Sequence, residues 1–383
     1  MRGSVYRRGD AWVVKVELPR RADGRRKPMY ETVRTRKEAE RVRAKLVHEI
    51  NQGTFFKPST TPFGTYLDDW LAQTGDRLSA KSRERTRSII DKHLKPALGH
   101  HPLAELRPLH IQQYYTEALT AAREGRNPLA PATVLKHHRV IFRSLRQAVR
   151  WQLLARNPAE AVEPPKATRR EMLALDPAQT ATLLAATDGD RLHAPILLAI
   201  STGMRRGEIL GLRWADIDMD AGTIDVRQTI EETGAGIAFK APKTTKSRRT
   251  LPIGATAVAA LRRHQAQQGE AKPAAGAGRQ DDDLVFARPD GSPWSPAAFS
   301  LAFMRLVRAT DNLPRIRFHD LRHTHASQLL AQGVHPKVVS ERLGHASIAI
   351  TMDTYSHVLP GLQEDAVRQF DLKLKAAVDE SAG

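Results

Sequence analysis

A tyrosine at position 355 stands ten positions after His345 in LGHASIAITMDTY, and the run RFHDLRHTHASQLL lies a short way upstream. One phenol close behind a dense set of fixed-charge and titratable side chains suits covalent attack on a phosphodiester. Such an attack needs a nucleophile, cations on the phosphate's negative oxygens and a proton source for the departing sugar oxygen. Arg205, in STGMRRGEILGLRWADID, follows Gly203 at the head of a predicted helix, where backbone N–H groups and a guanidinium can meet an anion together. His319 and Arg322 stand at i and i+3 of another predicted helix, so both can reach one phosphate. Arginine suits the task because it stays charged at any working pH and donates in a planar fork to two oxygens. A single arginine in so basic a chain carries little weight, since a solvated surface is its usual place.

The elements that must position these groups are spread over 383 residues, enough for two or three domains. The formal net charge of +18 is unevenly placed: +9 over residues 1–60, +7 over 61–168 and +2 over 169–383. Cationic surface of this kind draws polyanions, nucleic acid foremost; the plain alternative is a soluble protein of high pI. There are no cysteines, which excludes disulfides, thiolate metal sites and Cys nucleophiles and fits a reducing cytosol. No apolar run approaches bilayer length, and MRGSVYRRGDAW has no apolar stretch behind its basic residues, so a cytoplasmic, nucleoid-associated protein is expected.

Three segments emerge, a multidomain α+β chain. Over residues 1–56, Trp12, Val14, Val16 and Leu18 alternate with Val13, Lys15 and Glu17, the period of a half-buried strand, and 29–33 supplies another. Thr35-Arg36-Lys37-Glu38 predicts a capped helix to about Ile50, covering a three-stranded sheet with Ala39, Val42, Leu46 and Ile50. The opposite sheet face, with Lys15 and neighbouring Arg25, Arg26 and Lys27, suits a DNA groove, or is merely solvated. After the linker 53–62, residues 62–163 read as a helical bundle, with apolar stripes at Phe63–Leu71, 82–94, 110–122 and 132–153. Glu163-Pro164-Pro165-Lys166 is a second linker. Residues 170–383 read as a mixed, mainly α domain with a small antiparallel sheet from strands near 223–228, 236–240 and 249–253, and an exposed loop at 269–283.

Taken in order, Arg205, Lys243 (in PKTTKSRRTLPI), His319, Arg322, His345 and Tyr355 match the residue pattern of the tyrosine recombinases. Over its whole length the chain resembles the three-domain integrases of phages and conjugative elements. The resemblance implies an arm-site DNA-binding domain (1–56), a core-binding domain (62–163) and a catalytic domain with a tail helix (170–383). It also implies roles. Tyr355 attacks the scissile phosphate to give a 3′-phosphotyrosyl bond; Arg205 and Arg322 clamp the non-bridging oxygens; Lys243 protonates the leaving 5′-oxygen. His319 serves Tyr355 as proton acceptor or hydrogen-bond partner, His345 bonds a phosphate oxygen, and Glu208 orients its neighbours. Lys240, Lys246 and Arg248 compete with Lys243, and Glu208 reads equally well as a plain helix-start acid. His323, His325 and His357 match no catalytic position of the family and are read as packing or DNA-contact residues.

The reaction exchanges one phosphodiester for a phosphotyrosine of similar energy, so no nucleotide cofactor is expected. Metal is not expected either: there is no Walker-type loop or His/Cys ligand set, and Asp281-Asp282-Asp283 reads as a solvated charge run. The expected partners are double-stranded DNA attachment sites and a homotetramer on synapsed DNA, with an excisionase or DNA-bending protein as a further one. Leu362, Ala366, Phe370 and Leu374 predict an amphipathic tail helix that packs on a neighbouring protomer or on its own domain. Two other classes stay open: a type IB topoisomerase-like nicking and resealing enzyme, and a non-catalytic DNA-binding protein on the same fold.

Overall fold

A computed structural model describes residues 3–17, 28–52, 60–120, 127–168, 172–241, 248–271, 283–355 and 362–381. Arg25, Arg26, Lys27 and Lys243, most of the first linker, and the aspartates 281 and 282 lie outside the described residues. The chain divides into two compact units, Met1–Arg169 and Arg170–Gly383.

The first unit contains two separate apolar cores. In one, β1 (Gly3–Arg8), β2 (Ala11–Glu17) and β3 (Pro28–Val33) form an antiparallel sheet in that order. Gly9, at φ +60, opens the two-residue turn between β1 and β2, a conformation that glycine adopts without strain. The helix α1 (Arg36–Asn51) starts at Thr35, whose hydroxyl accepts from the Glu38 amide, and lays Ala39, Leu46 and Ile50 on Val14 and Val16. The third strand of the expected sheet is β1, whose GSVYRR carries too few apolar residues for the strand period to place it. On the face turned from α1 the ladder aligns Ser4, Lys15 and Tyr30 in one row and Tyr6, Val13 and Thr32 in the next. Tyr6 and Tyr30 are exposed there.

The other core belongs to α2 (Phe63–Thr74), α3 (Ala80–Ile89), α4 (Lys95–Leu98), α5 (Pro108–Thr120) and α6 (Pro131–Arg150). The expected stripe over 82–94 is real, but its helix widens at Ile90–Leu94 into a π-turn, with the Lys95 amide bonding Ile90 O. Pro96 explains this: it has no N–H to return to the carbonyl four residues back, so the ladder shifts by one.

The second unit begins with α7 (Pro177–Ala185), capped reciprocally by Asp176 and Gln179. Next come α8 (His193–Thr202), apolar nearly throughout and buried, and the short α9 (Arg206–Leu210). β4 (Ile217–Asp218), β5 (Thr223–Val226) and β8 (Arg249–Pro252) make a three-stranded sheet, while β6 (Thr229–Thr233) and β7 (Gly236–Lys240) pair as a hairpin. α10 (Ala255–Ala271) runs three residues into the stretch expected as loop. α11 (Pro296–Ala309), α12 (Asp320–Ala331), α13 (Pro336–Leu343), α14 (Ile348–Tyr355) and α15 (Leu362–Ser381) complete the unit. Phe299 and Phe303 meet Phe318 edge-on and fix α11 against the segment that leads into α12. Among the described residues no helix is long and apolar enough to cross a membrane.

Candidate active site

The last carbonyls of an α-helix have no partner within the helix and form its negative end. At the end of α13 three consecutive carbonyls are each taken by a different guanidinium. Arg249 Nε donates to Arg342 O at 2.7 Å, Arg322 Nη2 to Leu343 O at 2.6 Å, and Arg205 Nη2 to Gly344 O at 3.3 Å. Side chains from the residue that caps α9, from β8 and from α12, far apart in sequence, thereby converge on one turn of backbone. Gly344 closes that turn in the left-handed region (φ 64), and the His345 amide reaches back to Ser340 O. Such a turn sends the chain sharply away from the helix, so His345 follows directly behind the arginines.

A second glycine is needed on the other side. α8 ends at Gly203 (φ 66), and a Cβ there would fall 2.7 Å from both His325 Cδ2 and Leu343 Cδ2. Its carbonyl accepts from Arg322 Nη1 at 2.7 Å. Arg322, 4% exposed, thus spans the C-terminal ends of α8 and α13. Burial first, and Arg205 second, pull its guanidinium down to about 9, which still leaves it charged at neutral pH.

Glu208 balances part of this charge. It is 3% exposed and accepts from the Arg205 amide (2.9 Å), Arg205 Nη1 (2.7 Å) and Arg249 Nη2 (3.0 Å). Burial works against its ionisation, but Arg249 and then Arg205 outweigh it and hold the carboxyl below its ordinary value. One carboxylate for three guanidiniums leaves the cluster cationic, the condition for capturing an anion. Arg205 itself is partly exposed and, with Arg206, Arg317 and His319, lines a cleft of about 490 Å³.

His345 sits at the edge of the cluster with Nδ1 2.8 Å from the buried Thr351 Oγ1. Burial, then Arg322 and Arg205, push its imidazole down to about 4, so it is neutral at physiological pH. Tyr355, the last residue of α14, is 2% exposed among Ala326, Leu330, Val339 and Leu343. Burial raises its phenol to about 12 against the lowering pull of Arg322. The hydroxyl lies 2.7 Å from His323 Nδ1, not on His319 as expected. His319 caps the start of α12 and is exposed; one helical turn further on, His323 is the imidazole that the end of α14 meets, and the two rings touch edge to face at 5.3 Å.

Of the expected residues, the structure brings together Arg205, Glu208, Arg322 and His345, with Tyr355 and His319 joined through His323. Among the competitors of Lys243, Lys240 is paired with Glu231. Two residues were missed. Arg249 sits two positions before buried Leu251 in β8, so strand alternation turns it inward, and an inward arginine must find a carboxylate. His323, four residues after His319, shares its helix face.

A model of the phage integrase family matches residues 174–361, and one of the phage integrase N-terminal SAM-like domain matches 62–119. Similar relatives include the tyrosine recombinase XerC-like protein of Caldanaerobacter subterraneus subsp. tengcongensis, 28% identical over 357 residues (87% of this chain, 89% of the relative). The ICEBs1 integrase of Bacillus subtilis is 27% identical over 339 residues (88% and 90%). A solved structure of the Tn1549 transposon integrase in complex with a circular intermediate DNA aligns with a TM-score of 0.68 at 19% identity, covering 81% of this chain and 99% of that one. A lambda integrase tetramer bound to a Holliday junction aligns with a TM-score of 0.57 at 20% identity (90% and 95%). At such identities the structural likeness is one of fold.

Glu208→Gln leaves the buried Arg249 and the partly exposed Arg205 without their counter-charge, and a loss of about 3 kcal/mol in unfolding free energy is expected. Because the Glu208 carboxyl is held below its ordinary value, its contribution is full above the usual carboxylate range and disappears as pH falls through the lowered value. Denaturation of wild type and variant across pH checks this: the gap between them closes on the acid side.

Proposed function

Because the chain belongs to the phage integrase family of tyrosine recombinases, we propose a role for each residue of its cationic cluster in the reaction. The protein is a site-specific recombinase of integrase type, which breaks and rejoins DNA strands to insert a mobile element and to excise it. The observation that carries the residue assignment is the seating of Arg205 and Arg322 on neighbouring carbonyls, with His345 next in the chain.

Arg205 and Arg322 hold the non-bridging oxygens of the scissile phosphate, and His345, neutral, bonds one of them. Attack crowds more negative charge onto those oxygens, so a clamp placed beforehand in a water-poor site stabilises the transition state more than the ground state. Glu208 and Arg249 keep Arg205 in position. Tyr355 is the nucleophile and forms the 3′-phosphotyrosyl bond, freeing a 5′-hydroxyl. Its burial means that the phenol is uncovered when DNA binds. Lys243 protonates the leaving 5′-oxygen as the general acid. His319, exposed on the cleft beside Arg205, lies on the path of the DNA backbone.

Residues 1–56 bind arm-type DNA sites through the sheet face that carries Lys15, helped by Arg25, Arg26 and Lys27, which follow it in the sequence. Residues 62–163 bind core sites, and 170–383 carry out catalysis. The working assembly is a tetramer on two synapsed attachment sites in the cytoplasm, at the nucleoid, with an excisionase or bending protein setting direction. Phe370 and Leu374 of α15 are exposed and dock on the neighbouring protomer.

A nicked suicide duplex carrying the element's own attachment core tests the central reading. Wild type accumulates a covalent protein–DNA adduct and Tyr355→Phe forms none; an equal adduct in both would overturn Tyr355 as nucleophile. Arg322→Ala is expected to slow adduct formation at least 100-fold, the scale of losing one preorganised oxyanion donor. Replacing Lys15, Arg25, Arg26 and Lys27 by alanine should flatten the log-affinity versus log-salt slope for arm DNA by roughly 0.9 per lost phosphate contact. Deleting 361–383 is expected to abolish synapsis in a two-site gel assay while single-site binding persists.

A further inference from the structure

We propose that His323 is the catalytic base for the nucleophile: its Nδ1 takes the phenolic proton of Tyr355 as the phosphotyrosyl bond forms. This rests on Tyr355 as nucleophile and adds the acceptor for its proton. The contact is direct, at 2.7 Å, and joins α12 to the end of α14. Position in the chain reinforces it. His323 follows Arg322 immediately on α12, so the imidazole that meets the phenol and the guanidinium proposed to hold the phosphate come from neighbouring positions of one helix. His319 packs edge-on against the His323 ring and limits its rotation.

The proton balance is closed. The Tyr355 Oη–P bond forms, the P–O5′ bond breaks, the phenolic proton passes to His323, and the 5′-oxygen receives one from Lys243. In rejoining, the incoming 5′-hydroxyl gives its proton to Lys243, and His323 returns one to the departing phenolate. Base function requires a neutral imidazole before attack. The groups around His323 are Asp320, Arg322 and His319 on or beside its own helix, Arg317 just before it, Tyr355 from α14 and His345 from the turn after α13. Burial lowers its pKa, Asp320 opposes this, and Arg322 and Arg317 lower it further, which favours the neutral ring.

Full-length wild type, His323→Ala and His323→Asn are compared in single-turnover adduct formation on the nicked suicide duplex, with band-shift affinity and thermal melting as controls for binding and folding. Both variants are expected to bind the duplex as wild type does and to form adduct roughly 100-fold more slowly or worse, the usual worth of a positioned base. Their rates should climb with pH where the wild-type rate has levelled, and added imidazole should partly restore His323→Ala. Asparagine keeps a hydrogen-bond acceptor but takes up no proton. Wild-type rate in His323→Asn would therefore overturn the proposal in favour of simple positioning, and faster adduct in His323→Ala would show His323 to restrain the phenol. Absence of adduct in wild type itself would instead strike at the recombinase reading of Tyr355.

Discussion

The C-terminal turn of α13 is the constraint on which the site depends. Helix ends expose carbonyls that need donors, and here three successive ones take their donors from Arg249, Arg322 and Arg205. The arrangement settles two problems together. It satisfies the helix end, and it fixes three long, flexible cations whose free rotation would otherwise have to be frozen when substrate binds. Gly203 and Gly344 are the backbone conditions for it, because each end of the arginine cradle turns through a left-handed residue.

The cluster is built with a charge surplus. Glu208 offsets one guanidinium, backbone dipoles offset part of the others, and the remainder awaits an anion. An unliganded protein carrying buried like charges is less stable than it could be, a cost that binding of a phosphate relieves. Burial first, and the same surplus after it, draws Arg322 below its ordinary pKa and keeps His345 neutral. A charged guanidinium and an uncharged imidazole thus stand close together, as the proposed clamp and its hydrogen-bonding partner require.

Much of this could be read from residue order. Strand alternation at Trp12–Val16, the Thr35 cap, the stripe at Phe63–Leu71 and the spacing of Arg205, His319, Arg322, His345 and Tyr355 all carry local or short-range signals. What escaped was long-range or conditional. The broken ladder at Ile90–Leu94 follows from Pro96, but only once the helix around it is granted. Arg249 was hidden beside Arg248, since both are arginines and the alternation with Leu251 that turns Arg249 inward counts only once the strand β8 is granted. His323 was set aside because family matching weighs positions and not contacts; its contact with Tyr355 comes from where α14 ends. The carbonyl triad could not have been read at all, because backbone acceptors leave no trace in side-chain pattern.

The most direct test of the account is a structure of the full chain on a cleaved attachment-site duplex with orthovanadate bridging the broken ends. The account predicts vanadium bound to Tyr355 Oη at one apex and the 5′-oxygen at the other. Arg205 and Arg322 would sit on its equatorial oxygens while still holding Gly344 O and Leu343 O. Vanadate held elsewhere, or the two guanidiniums released from those carbonyls and pointing away from it, would contradict the account.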